Sequence, residues 1–299
     1  MKNIVSEQLS PSYGFFYTFK ERLHHERTAY QNLELVATEE FGNVMLLDGF
    51  TQVGERKHFQ YHELIADAPL LAHPCPEKVL IIGGGDGGVT HHVLRHPSVK
   101  HVTQVELDER VTQCALKFMP LVSKGALSDS KLQLIFADGK EFVSETTDRY
   151  DVIIMDLTDP IGAAAELYTQ GFLTRLKAKL RDDTSYVSLH TTSPIVVTKL
   201  FAVIINTLRA TFPEVMTFYN YIQMYGTLWS VSVAGTGTML KTLDTSTISK
   251  RIAERKLHSL LLLLTGATYH SLQIEPPFIK QLLAERVPIA KTVAELALE

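Results

Sequence analysis

The first seventy residues change from a period-two pattern to a helical one. Residues 30–37 alternate partly between apolar and polar positions, and short apolar runs at 44–47 and 50–53 follow the turn signals Gly42-Asn43 and Asp48-Gly49. This pattern predicts a small antiparallel sheet. Residues 60–72 then place apolar side chains on one helical face, which predicts a helix with a kink at Pro69 and an end at His73-Pro74.

Strands and helices alternate regularly beyond residue 77. The predicted strands cover 78–82, 102–107, 132–136, 151–155, 185–189, 215–221 and 228–233, and the predicted helices cover 89–94, 109–118, 167–180 and 196–211. This alternation predicts an α/β fold with a Rossmann-like, doubly wound sheet of the methyltransferase type. We therefore predict two domains: a small antiparallel β domain over residues 1–60, and a catalytic domain over 61–299 that carries C-terminal helices. The apolar run 257–264 is interpreted as one buried helix.

The composition is that of a globular protein with a large core. The chain has 299 residues, of which 45% are hydrophobic, and its formal net charge is −4. These values exclude a disordered chain and give no reason to expect binding to nucleic acid or to an anionic membrane surface. No export signal or apolar stretch of about 20 residues is present. With only two cysteines, Cys75 and Cys114, we expect a reducing, cytoplasmic location.

A glycine cluster directly follows the first strand of the predicted Rossmann-like sheet. The segment 83–88 reads GGGDGG, Glu106 lies at the end of the next strand, and Asp138-Gly139 follow the third. Glycines let the backbone approach a ligand closely, and an acidic residue after the second strand can accept both ribose hydroxyls of a nucleoside. The alternative is an ordinary α/β turn with solvated carboxylates. We favour a nucleoside site at this sheet edge.

The charge of the glycine-rich turn indicates which nucleoside it binds. Phosphates favour helix N-termini, Lys and Arg, whereas this turn carries Asp86 and has no Gly-Lys-Ser/Thr motif. A carboxylate here favours a ligand with a cationic group and no phosphate, such as a sulfonium nucleoside.

A pair of carboxylates follows the strand 151–155. Asp156 and Asp159, in the segment DLTDP, would face the same pocket and could bind an ammonium group and remove its proton. In the alternative interpretation, Asp156 caps the next helix and Asp159-Pro160 is part of a turn.

Taken together, these motifs resemble the spermidine synthase family of polyamine aminopropyltransferases. The resemblance extends from about residue 13 to residue 233, with a weaker similarity at 269–283. The segments that carry it are GGGDGG at 83–88, DLTDP at 156–160, YHELIA at 61–66, LDG at 47–49, HPSV at 96–99, Glu106 and Asp138-Gly139.

The resemblance implies a donor, decarboxylated S-adenosylmethionine, and a role for each matching residue. Asp86 would bind the donor's ammonium group, Glu106 its ribose, and Asp138 and Gly139 its adenine. Gly83 and Gly85 of the turn, together with Gln31, Gln52 and His62, would make further donor contacts. Asp156 would be the catalytic base, assisted by Tyr61 and Tyr225, and Asp159 would bind the amine acceptor. The resemblance also implies a homodimer or homotetramer and no prosthetic group.

The chain departs from the family pattern mainly on the acceptor side. Leu157 stands where a serine is usual, and His190-Thr191-Thr192 replace Gln-Gly-Glu. Tyr225 lies in a changed segment, Gln223-Met224-Tyr225-Gly226, and His91-His92 replace Arg-Glu after the glycine-rich turn. We therefore hypothesise that the acceptor is not simply putrescine but a different diamine or polyamine such as agmatine or spermidine. The alternative is that putrescine is still used, with water replacing the lost carboxylate contact.

Two other functions and a metal site are less favoured. An S-adenosylmethionine methyltransferase would have little use for Asp86 and the paired aspartates, and a non-catalytic nucleoside-binding protein would not need Asp156, Tyr61 and Tyr225. No metal is predicted: His24-His25 and His91-His92 are adjacent and would point apart on a helix, and we see no His/Cys cluster with ligand spacing.

Overall fold

Two β-sheets organise the chain, which was analysed as a computed structural model describing residues 3–297. Residues 1–2 and 298–299 of the two predicted domains, and the side chain of Ala163, lie outside the described residues. The N-terminal sheet is antiparallel, in the order of the chain, with strands β1 (Asn3–Ser10), β2 (Tyr13–Arg27), β3 (Asn32–Thr38), β4 (Asn43–Leu47) and β5 (Phe50–Gly54). The predicted antiparallel sheet is therefore confirmed, and a long hairpin of β1 and β2 extends it.

The second sheet has seven strands in the order β11-β12-β10-β9-β6-β7-β8. Its strands are β6 (Lys78–Gly83), β7 (His101–Glu106), β8 (Leu132–Phe136), β9 (Val152–Asp156), β10 (Tyr186–His190), β11 (Glu214–Ile222) and β12 (Thr227–Gly235). The five strands β6 to β10 pair in parallel, and β12 is antiparallel to both β10 and β11. The predicted Rossmann-like α/β fold is confirmed. Its chain order reverses between β6 and β9, where such sheets bind ligands.

Helices cover both faces of this sheet. They are α1 (Phe59–His62), α2 (Ala68–Ala72), α3 (Gly88–Leu94), α4 (Glu109–Phe118), α5 (Pro120–Ser123), α6 (Gly139–Glu145), α7 (Gln170–Ala178), α8 (Thr198–Thr211), α9 (Thr245–Glu254), α10 (Gly266–Ser271) and α11 (Pro277–Ala284). One apolar cluster joins α2 and β6 to residues of the N-terminal sheet such as Val36 and Val44. The predicted boundary at residues 60/61 falls inside α1, and the division into two domains stays a prediction.

The predicted helix over 60–72 is interrupted by a wider turn. A π-helical turn, Glu63–Asp67, separates α1 from α2, and Pro69 lies in the first turn of α2. Because proline has no N–H, it cannot donate to the carbonyl four residues earlier, and the helix adapts just before it. The predicted helix over 167–180 is shorter than expected: a 3-10 turn covers Gly162–Tyr168, and Thr169 caps α7 with its side chain.

Two further sequence expectations are wrong. His24 and His25 lie on β2, so their side chains point to opposite faces of a strand rather than around a helix. Residues 257–264 form turns instead of a helix. The reason is the carboxylate of Glu63, which is fully buried and accepts the N–H groups of Leu262, Leu263 and Leu264 at 2.7, 3.0 and 2.9 Å.

Replacing Glu63 by glutamine tests this contact. The amide keeps one acceptor oxygen but turns an NH2 group toward backbone N–H groups, so we expect a loss of about 2–4 kcal/mol of stability. Urea unfolding measures the change, and Glu145→Gln, on the exposed end of α6, is the control. Equal stability of the two variants would show that the carboxylate does not hold this segment.

Candidate active site

The glycine-rich turn between β6 and α3 lies against the carboxyl end of β9. Gly83 has a φ of +86°, in the left-handed region, and a Cβ at this position would lie 2.1 Å from the backbone oxygen of Asp156. A Cβ on Gly85 would lie 2.9 Å from Oε2 of Glu106. Only glycine fits this approach, and the turn thereby lies against the backbone of Asp156 and the carboxylate of Glu106.

Three carboxylates, Asp86, Glu106 and Asp156, form an acidic cluster around this turn. Each accepts a hydrogen bond: Asp86 from the Gly88 N–H at 2.6 Å, Glu106 from the Asp108 N–H at 2.8 Å, and Asp156 from the Tyr61 hydroxyl at 2.8 Å. The predicted pairing of Tyr61 with Asp156 is thus present in the structure.

Burial makes these carboxylates difficult to ionise without a cation. It raises the pKa of Asp86 to about 6 and, together with the charges of Asp108 and Asp86, that of Glu106 to about 7. Burial and the charges of Asp86 and Glu106 raise the pKa of Asp156 to about 8. A cationic ligand would relieve this repulsion, and Asp156 has the proton affinity that suits a general base near neutral pH.

Tyr225 lies beside Tyr61 but has a different hydrogen-bond partner. The two rings have centroids 6.0 Å apart, and the Tyr225 hydroxyl donates to the backbone oxygen of Gln52 at 2.9 Å. The Gln52 side chain itself lines the pocket in front of both tyrosines.

The remaining predicted donor residues surround the same sheet edge. The Gln31 amide donates to Asp108 at 3.1 Å, next to Glu106, and the His62 ring packs against Gly88. Asp138 caps α6 by accepting the Lys140 N–H at 2.7 Å. A Cβ on Gly139 would lie 2.6 Å from the Ile82 side chain, so this glycine lets α6 approach the end of β6.

Sequence analysis missed part of the pocket beside Asp156. Besides Gln52, Asp159 and His190, which the sequence had already indicated, the pocket is lined by Glu7 and Trp229. Glu7 shares the inward face of β1 with Val5 and Leu9, and burial raises its pKa. The alternating pattern of β1 places the Glu7 carboxylate on the inward face, and this pattern could have identified Glu7 as a candidate site residue from the sequence.

The His190 side chain has one buried ring nitrogen without a hydrogen-bond partner among the described residues. Its Nε2 lies 2.6 Å from the Tyr168 hydroxyl and 3.1 Å from the backbone oxygen of Leu157, and its ring stacks on Trp229. Since the Leu157 oxygen can only accept, the proton is on Nε2. Nδ1 then carries a lone pair, and it has no partner among the described residues.

The capping alternative for Asp156 is excluded. The 3-10 turn after β9 follows Ile161, and α7 is capped by Thr169. The Asp156 carboxylate instead accepts the hydrogen bond of Tyr61 within the acidic cluster. Asp159 lies in the adjacent loop, and burial raises its pKa.

Comparison with known families matches most of the chain, from residue 4 to residue 245. Residues 58–245 match the profile of the spermine/spermidine synthase domain, and residues 4–55 match that of the spermidine synthase tetramerisation domain. The chain belongs to the spermine/spermidine synthase family. The family resemblance inferred from the motifs is confirmed, and so is the expected enzyme class, a transferase.

Relatives in this family are similar over most of their length. A polyamine aminopropyltransferase of Nitrosomonas europaea is 36% identical over 284 residues, covering 95% of this chain and 87% of that protein. One from Bacillus mycoides is 37% identical over 229 residues, covering 76% of this chain and 82% of that protein.

Two solved structures share the fold and 29% identity. A spermidine synthase in complex with the transition-state analogue AdoDATO superposes with a TM-score of 0.87, and the spermidine synthase of Thermotoga maritima with 0.85, each over 94% of both chains. Within residues 3–297, no helix is long and apolar enough to span a bilayer.

Proposed function

We propose that this member of the spermine/spermidine synthase family transfers the aminopropyl group of decarboxylated S-adenosylmethionine to an amine and releases methylthioadenosine. The observation that carries the proposal is the Asp156 carboxylate, which belongs to the acidic cluster and accepts a hydrogen bond from Tyr61, a residue that also lines the pocket of Glu7 and Asp159. A structure of a spermidine synthase with AdoDATO, at the similarity reported above, supports a donor of this class.

The donor carries two positive charges, on its sulfonium and on its ammonium group. Asp86 would bind the ammonium, Glu106 would accept the ribose hydroxyls, and Asp138 and Gly139 would flank the adenine. Gly83, Gly85, Gln31, Gln52 and His62 would complete the contacts. A donor with the extra carboxylate of S-adenosylmethionine would place a negative group near Asp86, which disfavours the methyltransferase alternative.

Transfer then needs deprotonation and alignment. An alkylamine with a pKa of about 10 is protonated at neutral pH and is not a nucleophile. Asp156, oriented by the Tyr61 hydroxyl, would take this proton, and Tyr225 would line the path of the amine. The amine nitrogen bonds to the propyl carbon as the carbon–sulfur bond breaks. Methylthioadenosine leaves as a neutral molecule, so sulfur requires no general acid.

The acceptor would be a diamine or polyamine with a second cationic group. Glu7 and Asp159 offer two carboxylates for that group, and His190 lines the same pocket. The Trp229 and Tyr225 rings, with centroids 5.0 Å apart, can contact the alkyl chain and a cation. This set of groups differs from an acidic residue after β10, and putrescine and longer amines both have a second cationic group that could bind to it, so measured rates decide between them.

Two measurements test the proposed reaction. Calorimetry should show tighter binding of decarboxylated than of intact S-adenosylmethionine, and methylthioadenosine should form when an amine is added. Rates with putrescine, cadaverine, agmatine, spermidine and spermine identify the acceptor; a strong preference for putrescine would end the hypothesis of a different amine. Binding of the donor without turnover of any amine would instead indicate a non-catalytic protein.

Replacing Glu7 by glutamine should weaken acceptor binding specifically. Loss of one carboxylate contact to an ammonium group is expected to raise the acceptor KM by about 10- to 100-fold, while the donor Kd stays unchanged. Steady-state kinetics at saturating donor measure this, with the exposed Glu21→Gln on β2 as control. An unchanged KM would remove Glu7 from the acceptor site.

We also propose that the chain forms a homodimer or homotetramer in the cytosol. Apolar side chains on the N-terminal hairpin are exposed, with Ile4, Tyr13 and Phe16 at 53%, 51% and 69%. Exposed apolar side chains of this size favour a protein–protein contact, and the match of residues 4–55 to a tetramerisation domain supports that use of the hairpin. Light scattering of the purified protein measures its mass.

A further inference from the structure

A cluster of three histidines lies behind the donor turn, where the sequence predicted no metal site. His58 and His62 lie one helical turn apart, just before and at the end of α1, and His92 lies on α3. One ring nitrogen of each lies within 4.8 Å of those of the other two, and the ring centroids are 5.0, 5.5 and 6.0 Å apart. The spacing between residues 58 and 62 was therefore a ligand signal that the sequence analysis overlooked.

We propose that His58, His62 and His92 bind a divalent transition-metal ion, with Zn²⁺ as the preferred occupant. Three imidazoles form a common ligand set for zinc and leave the fourth position open for water. The Nδ1 atoms of His58 and His62 are 2.9 Å apart. Two nitrogens bound to one tetrahedral zinc lie about 3.3 Å apart, so a small opening of this pair suffices.

The protonation states suit a metal. Burial lowers the pKa of His58 to about 3 and lowers the pKa of His62 and His92 as well, so all three rings are neutral at pH 7. A neutral imidazole has one lone pair to donate. When both Nδ1 atoms bind the metal, the proton in the His58–His62 hydrogen bond moves to Nε2 of its own ring, so these neutral rings release no net proton.

Asp67 orients the third ring. It is fully buried, and its Oδ2 lies 2.6 Å from Nδ1 of His92. A carboxylate that accepts the Nδ1–H of a ligand histidine leaves the Nε2 lone pair for the metal and raises its basicity. Arg95 lies near both groups, 3.0 Å from Oδ2 and 2.6 Å from Nδ1. The proposal therefore requires that Nδ1–H of His92 donates to Asp67 and that Arg95 donates to the same carboxylate.

The site would also communicate with the donor pocket. The Cε1–Nδ1 edge of the His62 ring packs against Gly88, and a nitrogen of this ring lies within 4.8 Å of carboxylate oxygens of Asp86 and Asp156. A bound divalent cation would offset the negative charge that attracts a dicationic donor. This coupling rests on the proposed function, and by linkage the donor would weaken the metal to the same extent.

Cobalt substitution tests the metal site without using activity. The full chain is titrated with Co²⁺ in a Cys114→Ser background, because His24, Glu26 and Cys114 form a second group with ligand atoms in range. We expect one equivalent to give the visible absorption of tetrahedral cobalt, which Zn²⁺ then removes. His58→Gln should weaken binding at least about tenfold, whereas His91→Gln, the neighbour of His92 outside the cluster, should leave it unchanged.

Three outcomes would overturn the proposal: no tetrahedral cobalt signal, a signal that survives His58→Gln, or one that is lost in His91→Gln. The coupling is tested by adding ligands to the cobalt form. Decarboxylated S-adenosylmethionine should lower cobalt affinity, whereas the uncharged methylthioadenosine should not. A cobalt site that ignores both ligands would refute the coupling and leave the metal site standing, and failure of the proposed reaction would leave the cobalt titration unaffected.

Discussion

Replacing Asp156 by asparagine is expected to lower kcat by about 10²- to 10⁴-fold while the donor Kd changes little. An amide cannot take a proton from the acceptor's ammonium group, but it fills the same space beside Tyr61. The substitution also removes the negative charge at position 156 and with it the repulsion with Asp86 and Glu106, so the donor site keeps its shape. Single-turnover formation of methylthioadenosine and calorimetry with the donor measure the two effects separately.

Asp159→Asn is the matched control, because it makes the same substitution three residues away in the same loop. Asp159 faces the acceptor pocket, and we expect its loss to raise the acceptor KM with a smaller effect on kcat. If Asp156→Asn kept its rate, or if the two variants behaved alike, Asp156 would not be the base.

Donor affinity is expected to rise with pH between about 6 and 8. In the ligand-free protein the pKa values of the two donor-binding carboxylates, Asp86 and Glu106, are raised to about 6 and 7, so these groups are protonated at acid pH and ionised at alkaline pH. The dicationic donor binds the ionised form, and its own ammonium stays protonated over this range. We therefore expect at least a tenfold lower affinity at pH 6 than at pH 8, on the order of tenfold for each proton released.

Calorimetry in two buffers with different ionisation enthalpies counts the released protons. Binding should release protons below about pH 8 and release few above it. In Glu106→Gln the number should fall, because one titrating group is gone. Affinity independent of pH, with no proton release, would contradict the raised pKa values and the proposal that these carboxylates bind a cation.

The sheet and the donor side of the site were predictable from local signals. The apolar segment before Gly83 and the acid at Glu106 specify strand ends, and parallel strand ends must meet at one edge of the sheet. The role of Asp86 as a carboxylate for a cationic ligand could be inferred from the glycine-rich turn that contains it. These residues act through backbone geometry that a short stretch of sequence determines.

Features that depend on distant partners were not predictable. The apolar run 257–264 has the pattern of a buried helix. In the structure the carboxylate of Glu63, about 200 positions earlier, accepts the N–H groups of residues 262–264, and the run forms turns instead. Glu7 faces the acceptor pocket because β1 crosses it, and His92 meets His58 because α3 packs against α1. Sequence spacing describes neighbours along one element, whereas these contacts arise between elements.

The buried Glu63 has a consequence for how the protein opens. It immediately follows Tyr61 and His62, so the same short stretch of chain bears both the hydroxyl bound to Asp156 and the anchor of residues 262–264. Detachment of the C-terminal part would leave the buried Glu63 carboxylate without its hydrogen-bond donors, two residues after Tyr61. Detachment of the C-terminal segment and loss of order around Tyr61 and Asp156 should therefore occur in one step. A chain shortened before residue 262 should lose both the anchored segment and the ordered site.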